Sequence, residues 1–74
     1  MESITSLDLK ILEMAERIRE LREAVDFSPE KMATLTGVST EEYLECENGR
    51  HDLSFAFLYR CALAFGVDVS EIIE

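Results

Sequence analysis

The sequence predicts an all-α fold of five short helices packed around one compact core. Apolar residues recur at alternating spacings of four and three between Leu7 and Val25, which is typical of one buried helix face. Each later apolar segment begins near a Ser or Asp that is able to cap a helix, and three of these segments end at a Gly. A chain of 74 residues with one Pro supports one small core and lacks the turn composition of an all-β domain.

The first helix is predicted over Leu7 to Val25, with Ser6 as its N-cap. Leu9 and Leu12 lie off the core-facing stripe, so the front of this helix presents more apolar surface than one core contact explains. We therefore expect residues 1–17 to form an extended first helix. The side chains expected in the core are Leu7, Ile11, Met14, Ile18, Leu21 and Val25.

The second and third helices are predicted over 29–36 and 40–48, with the chain turning at Gly37 in a left-handed conformation. Ser28 is suited to cap the second helix, and Ser39-Thr40-Glu41-Glu42 matches a capping box at the start of the third. Two short helices joined by such a turn form a helix-turn-helix, here spanning residues 29–48. The apolar residues expected in the core from this segment are Met32, Ala33, Leu35 and Val38.

The fourth helix is predicted from its cap at Ser54 to Phe65, with Gly66 ending it. Asp68-Val69-Ser70-Glu71 matches a second capping box, which opens a fifth helix that reaches Glu74. The expected core face of the fourth helix is Phe55, Leu58, Tyr59, Ala62 and Phe65. Its remaining apolar surface predicts contact with a partner, such as a second copy of the chain, through Ala56, Phe57 and Leu63.

The charge of the chain is strongly acidic. It holds 16 Asp and Glu against 7 Lys and Arg, for a net charge of −9, and each third contains more acidic than basic residues. Because Lys and Arg supply most non-specific affinity for nucleic acid, this balance opposes tight DNA binding by the isolated domain, and it also opposes binding to anionic membranes. No apolar run approaches membrane-spanning length and residues 1–10 do not resemble a targeting segment, so we expect a cytoplasmic protein.

The chemistry-bearing residues are few. Cys46 and Cys61 fall on core-facing helical positions and are expected to be buried, inert thiols. His51 is expected to be a solvated loop residue, and with two separated cysteines it does not complete a zinc site. No nucleophile and base are paired, and no Gly-rich phosphate loop is present, so we expect no enzyme, no metal and no cofactor.

The segment from Ile18 to Glu74 resembles a known family. Its motifs are IRELRE in the first helix, FSPEKMA at the second, the turn TGVS, the exit ENGR, and the close ALAFGVDVSEII. Together they are similar to the Cro/C1-type, phage-repressor-like helix-turn-helix family. The resemblance implies a lambda-repressor-like fold and sequence-specific binding of double-stranded DNA by a transcriptional regulator that acts as a homodimer. It also implies that 1–74 is a single domain, the N-terminal part of a longer regulator with a possible C-terminal sensor domain.

The resemblance also assigns site residues. In this family an Arg of the first helix and a Glu near the end of the third commonly form a largely buried ion pair, which here predicts Arg22 with Glu47. An Arg beside the core is tolerated only with a charged partner. The DNA-contacting positions that it implies are Thr36, Ser39, Thr40, Glu41, Glu42, Glu45 and Arg50.

The chain departs from the family where DNA is contacted. Relatives commonly carry Gln at the start of the second helix and early in the third, whereas this chain contains no Gln and has Pro29 at the first of those positions. Carboxylates are able to accept from cytosine, but Glu41 and Glu42 are equally explained by the helix dipole and the capping box. Two hypotheses therefore remain: a DNA-binding domain, or a helix-turn-helix that has lost DNA recognition and serves as a protein-interaction module.

Overall fold

The computed structural model describes residues 5–50 and 52–74, and in this part of the chain the secondary structure is entirely helical. The helices are α1 (Ser6–Ala24), α2 (Pro29–Thr36), α3 (Thr40–Glu47), α4 (Phe55–Phe65) and α5 (Ser70–Ile73). Every predicted helix is present, and the all-α fold class is confirmed. The prediction for His51 and the first four residues of the predicted extension at 1–17 lie outside the described residues.

Helix α1 begins one residue earlier than predicted, because Thr5 and not Ser6 is its N-cap. The Thr5 hydroxyl accepts from the Asp8 N–H at 3.0 Å, and the Asp8 carboxylate accepts from the Thr5 N–H at 3.2 Å. A capping box needs an acceptor three residues after the cap. Ser6 would have Leu9 at that position, so the box selects Thr5.

The two ends of the predicted α1 stripe are exposed, and Leu7 and Val25 do not belong to the core. Met14 and Ile18 are buried, and Ile11 and Leu21 pack against the core while half-buried. The first buried residue of α1 is Met14, so the apolar periodicity begins about two turns before the surface that the helix buries. Leu12 lies against the turn that follows α3, where a Cβ added at Gly49 would come within 2.6 Å of its Cδ2 atom.

Helices α2 and α3 form the predicted helix-turn-helix. The Ser28 hydroxyl caps α2 by accepting from the Lys31 N–H at 3.0 Å, and Gly37 ends it with a left-handed φ of 77°. The Ser39 hydroxyl caps α3 by accepting from the Glu42 N–H at 3.1 Å, whereas the reciprocal bond of the predicted capping box is not seen among the described residues. The predicted burial of Leu35 is wrong, since Leu35 is exposed.

Helix α4 is capped by the Ser54 hydroxyl, which accepts from the Phe57 N–H at 3.1 Å, and it ends at Gly66 as predicted. Its buried face is rotated from the predicted one by about one residue. Phe55 and Tyr59 were expected in the core and are exposed, whereas Phe57 was expected on the surface and is 7% exposed. The buried side chains of α4 are Phe57, Leu58, Cys61, Ala62 and Phe65.

Helix α5 begins without a side-chain cap, so the second predicted capping box is wrong. The Asp68 carboxylate instead accepts from the Ser70 N–H at 2.9 Å, and this hydrogen bond lowers the pKa of Asp68. On the other side, the Arg17 guanidinium donates to the Ile72 carbonyl at 3.1 Å, which ties α5 to α1. Ile72 itself is fully buried.

Both cysteine thiols are buried, as predicted. Burial raises the pKa of Cys46, and it raises the pKa of Cys61 to about 12. A thiol held in its neutral form is a poor nucleophile. Within the described residues, no group of three or more His, Cys, Asp or Glu side chains is arranged to hold a metal ion.

Candidate nucleic-acid interface

Helix α3 divides into a buried face and an exposed face. Tyr43, Cys46 and Glu47 are buried against the other helices. Glu41 and Glu42 are exposed, Leu44 is 40% exposed and Glu45 is half-buried. Residues three and four apart on a helix share a face, so the exposed residues form one outward surface. We call this the α3 outward face, and its members are Glu41, Glu42, Leu44, Glu45 and Asn48.

An ion pair anchors the buried side of α3 to α1. The Arg22 Nε atom donates to Glu47 Oε2 at 2.9 Å, and Nη2 donates to Oε1 at 2.9 Å, which makes the contact bidentate. The Arg22 and Glu47 side chains are 13% and 5% exposed, so the pair is largely desolvated. The remaining Arg22 Nη1 donates to the Phe27 carbonyl at 2.9 Å. This is the pair that the resemblance implied, and it holds both α3 and the segment after α1 in place.

The groups in and beside the ion pair keep Arg22 charged and Tyr43 neutral. The hydrogen bonding that Arg22 donates to Glu47 raises the pKa of Arg22, so the guanidinium stays charged. Tyr43 is fully buried beside the pair, and burial raises the pKa of its hydroxyl, with the Glu47 carboxylate acting in the same direction. The phenol is neutral and the two charges of the ion pair satisfy each other. We therefore assign this cluster a structural role, which is to position α3.

Thr36 is placed in the core and does not face solvent. It is 1% exposed, and its hydroxyl donates to the Met32 carbonyl at 2.7 Å. A Thr in the last turn of a helix is able to bond the carbonyl four residues earlier, and Thr36 does so. The prediction that Thr36 contacts DNA is therefore wrong for this conformation, because its hydroxyl is enclosed and already used.

The other predicted DNA-contacting residues lie at or next to the α3 outward face. Ser39 is exposed at the N-terminus of α3 and Thr40 is half-buried beside it. Arg50 is exposed just after α3, and its backbone N–H donates to the Glu45 carbonyl at 2.9 Å, which fixes the loop to the helix end. The structure thus holds Arg50 directly after the helix that carries the predicted carboxylates. The contacts of these residues with DNA stay a prediction.

Two further cations near the helix-turn-helix have partners within the domain. The Lys31 ammonium lies 4.4 Å from the centre of the Phe27 ring, a cation–π geometry. The Arg60 guanidinium donates to the Thr36 carbonyl at 3.4 Å, next to the turn at Gly37. Among the predicted DNA-contacting residues, Arg50 is the one that carries a positive charge.

A second exposed surface lies on α4. The Phe55 and Tyr59 rings stack with centroids 6.3 Å apart, and Leu63, one turn further along, is 62% exposed. An open groove of about 210 Å³ continues from Leu63 to Leu35 on α2. We call Phe55, Ala56, Tyr59 and Leu63 the α4 apolar face. The prediction that Phe57 belongs to a partner surface is wrong, because Phe57 packs in the core, whereas Ala56 and Leu63 are exposed as predicted.

Sequence reasoning missed three exposed apolar side chains at these two surfaces, on α3 and α4. Phe55 and Tyr59 were assigned to the core, and Leu44 was assigned to no role. For Leu44 a signal was present: it stands three residues after Glu41 and four before Asn48, which places it on the same face. For α4 no comparable signal was present, since apolar residues occur on nearly every side of that helix.

This arrangement, a short helix and a tight turn that present an anchored second helix, defines the helix-turn-helix class of DNA-binding domains. The chain belongs to the helix-turn-helix domain family, whose model matches residues 13–73. Among curated proteins, no significant relative was found. None of the described helices combines the length and the apolar character needed to cross a membrane.

Solved structures with the same fold include two regulators. The restriction-modification controller protein C.AhdI from Aeromonas hydrophila is 26% identical, with a TM-score of 0.81 over 86% of this chain and 97% of that one. The clp gene regulator ClgR from Corynebacterium glutamicum occurs in two structures, 22% and 21% identical, with TM-scores of 0.80 and 0.82. These cover 85% and 95% of this chain, and 82% and 71% of ClgR. At these identities, the similarity to ClgR shows a shared fold.

Family and structural likeness together support a DNA-binding regulatory function for this chain, and they do not favour the interaction-module alternative. The class is one of DNA-binding regulators, which are generally not enzymes.

Proposed function

We propose that this chain is a Cro/C1-type DNA-binding domain of a cytoplasmic transcriptional regulator, and that it places α3 in the major groove of double-stranded DNA. The observation that carries the proposal is the α3 outward face, which is exposed while the opposite side of α3 is fixed to α1 by the Arg22–Glu47 pair. A helix that is held on one side and faces outward on the other is what insertion into a groove requires.

The acidity of the domain sets the strength of this binding. With a net charge of −9 and three Glu side chains on the α3 outward face, phosphate repulsion opposes association. In this placement the DNA backbone is contacted by Ser39, Thr40 and Arg50. The base edges are contacted by Glu41, Glu42 and Glu45. A single domain therefore binds weakly, and useful affinity depends on a second copy or on a further domain of a longer regulator.

The α4 apolar face supports a homodimer as the binding unit. Phe55, Tyr59 and Leu63 are spaced four residues apart, so they form a continuous apolar strip along α4. A second copy of the same strip would bury it in a two-fold interface, where every contact between two residues occurs twice. Two such domains would present their α3 helices to successive major grooves, roughly 34 Å apart.

Leu63→Glu is expected to weaken self-association of the protein by at least about ten-fold, since it places a charge in an apolar interface. The matched control is Leu7→Glu, which makes the same change at an exposed leucine of α1 and should leave association unchanged. Sedimentation equilibrium measures both. A protein that stays monomeric at high concentration, or a Leu63→Glu variant that dimerises as strongly as the wild type, would contradict the proposed interface.

Arg50→Ala tests DNA binding itself. It should weaken binding by a similar factor on every duplex and reduce the slope of log affinity against log salt by about one, as expected for one phosphate-contacting cation. Lys10→Ala is the control, because it removes the same charge from α1. Fluorescence titration with labelled duplexes at several salt concentrations provides the measurement. Equal salt slopes for Arg50→Ala and Lys10→Ala would contradict the proposal, and would favour a protein partner for the α3 outward face.

A further inference from the structure

Leu44 is an apolar side chain on a helix face that is otherwise polar. It is 40% exposed, whereas Tyr43 and Cys46 beside it in α3 are buried. Its carbonyl accepts from the Asn48 N–H at 3.0 Å, so the helical backbone continues regularly through this point. The core is closed by other residues of α3, which leaves the exposed part of Leu44 without a packing role inside the domain.

The major groove offers this side chain one kind of apolar partner. Insertion of α3 removes water from Leu44, and an alkyl group neither donates nor accepts hydrogen bonds. Guanine, adenine and cytosine present hydrogen-bond donors and acceptors at their major-groove edges. A leucine packed against such an edge would displace water from these groups and leave them without hydrogen bonds. Thymine presents a C5-methyl group, which is the apolar feature of that groove.

The neighbouring carboxylates differ from Leu44 in the base that they favour. Glu41 and Glu45 lie within one turn of Leu44, and carboxylates accept hydrogen bonds from the amino group of cytosine but make none with a methyl group. Leu44 is thus the member of the α3 outward face whose chemistry matches thymine.

We infer that Leu44 is a specificity-determining residue that selects one thymine in each half-site of the operator, through contact with its C5-methyl group. This inference rests on the proposed function, because it requires α3 to lie in the major groove. It goes further by naming the base and the atom that the residue recognises.

Replacing thymine with uracil tests the contact. The probe is a duplex recovered by repeated selection from a random-sequence pool with the protein itself, in which thymines are replaced by uracil one position at a time. Uracil keeps every hydrogen-bonding group and lacks only the methyl. At one symmetric pair of positions, each replacement should weaken binding by about four-fold, the equivalent of one buried methyl-sized group.

Leu44→Ala should bind the thymine and uracil duplexes equally at that position. Leu7→Ala, which shortens an exposed leucine on α1, should retain the four-fold preference for thymine. Leu44→Gln is a second variant, and it should lose the preference for thymine while keeping the helical fold, measured by circular dichroism. For each variant we compare its affinity for the thymine duplex with its affinity for the uracil duplex. A general change in affinity or stability affects both values equally and cancels in this ratio.

The outcomes separate this inference from the function on which it rests. If the wild type selects no duplex from the pool, the proposed function fails, and the inference fails with it. If the wild type binds but no uracil replacement weakens binding, or if Leu44→Ala keeps the full preference for thymine, the inference is overturned while DNA binding stands.

Discussion

Glu47→Ala is expected to destabilise the fold by about 3–5 kcal/mol, the cost of leaving one partner of a buried ion pair without the other. Arg22 donates two hydrogen bonds of 2.9 Å to the Glu47 carboxylate, and its side chain is only 13% exposed. Without Glu47 the guanidinium keeps its bond to the Phe27 carbonyl but loses its counter-charge. Unfolding by urea, followed by circular dichroism, measures the loss.

Glu20→Ala is the matched control, because Glu20 is an exposed carboxylate on α1. Its effect should stay within about 0.5 kcal/mol, the range of an ordinary surface substitution. A Glu47→Ala variant that also falls within this range would show that the pair does not hold α3, and the account of how α3 is positioned would then be wrong.

Changing Glu41, Glu42 and Glu45 together to Gln should raise non-specific DNA affinity by about ten-fold. Each substitution removes one like charge from a surface that enters the groove between the phosphates, and exposed charge interactions are each worth about 0.2–1 kcal/mol. The salt slope should not change, because no Lys or Arg is added and no further counterion is released. Titration of a random-sequence duplex at several salt concentrations measures both quantities.

The control for this variant is a triple change of Glu13, Glu20 and Glu23 to Gln, which removes the same charge from exposed positions of α1. Its effect on affinity should be clearly smaller, since those charges do not face the groove. If both triple variants raise affinity equally, net charge and not the position of α3 controls binding, and the proposed placement of α3 is contradicted.

Local signals predicted the helices well. Ser28, Ser39 and Ser54 cap the helices they were expected to cap, and Gly37 and Gly66 end them in left-handed conformations. These signals act over three or four residues, so they are visible in the sequence without any tertiary contact. The largest error in the bounds of the helix-turn-helix is one residue, where α3 ends at Glu47 and not at Asn48.

The face that each helix buries was harder to predict, because it depends on contacts between distant residues. In α4 the apolar residues surround the helix, and the core takes Phe57 while leaving Phe55 and Tyr59 exposed. In α2 the core takes Thr36 in place of Leu35, since the Thr36 hydroxyl is satisfied within its own helix. Periodicity alone does not separate such neighbours when both sides are apolar or when a polar group bonds locally.

The candidate site was predicted in part. Exposure of Glu41 and Glu42 follows from their positions in the first turn of α3, and the Arg22–Glu47 pair followed from the family resemblance and from the need to pair a buried Arg. Thr36 was assigned to DNA from the family resemblance, but its burial was decided by packing. Leu44 was missed because an apolar residue in a helix is usually taken for core.

The central claim is that the α3 outward face contacts DNA, and backbone amide chemical shifts test it most directly. The measurement is a titration of the isotopically labelled protein with the duplex that it selects from a random-sequence pool. The account predicts the largest shift changes in residues 39–50, with changes in α5 close to zero. Shift changes confined to α4 and α5, or the absence of any saturable change at low salt, would contradict it.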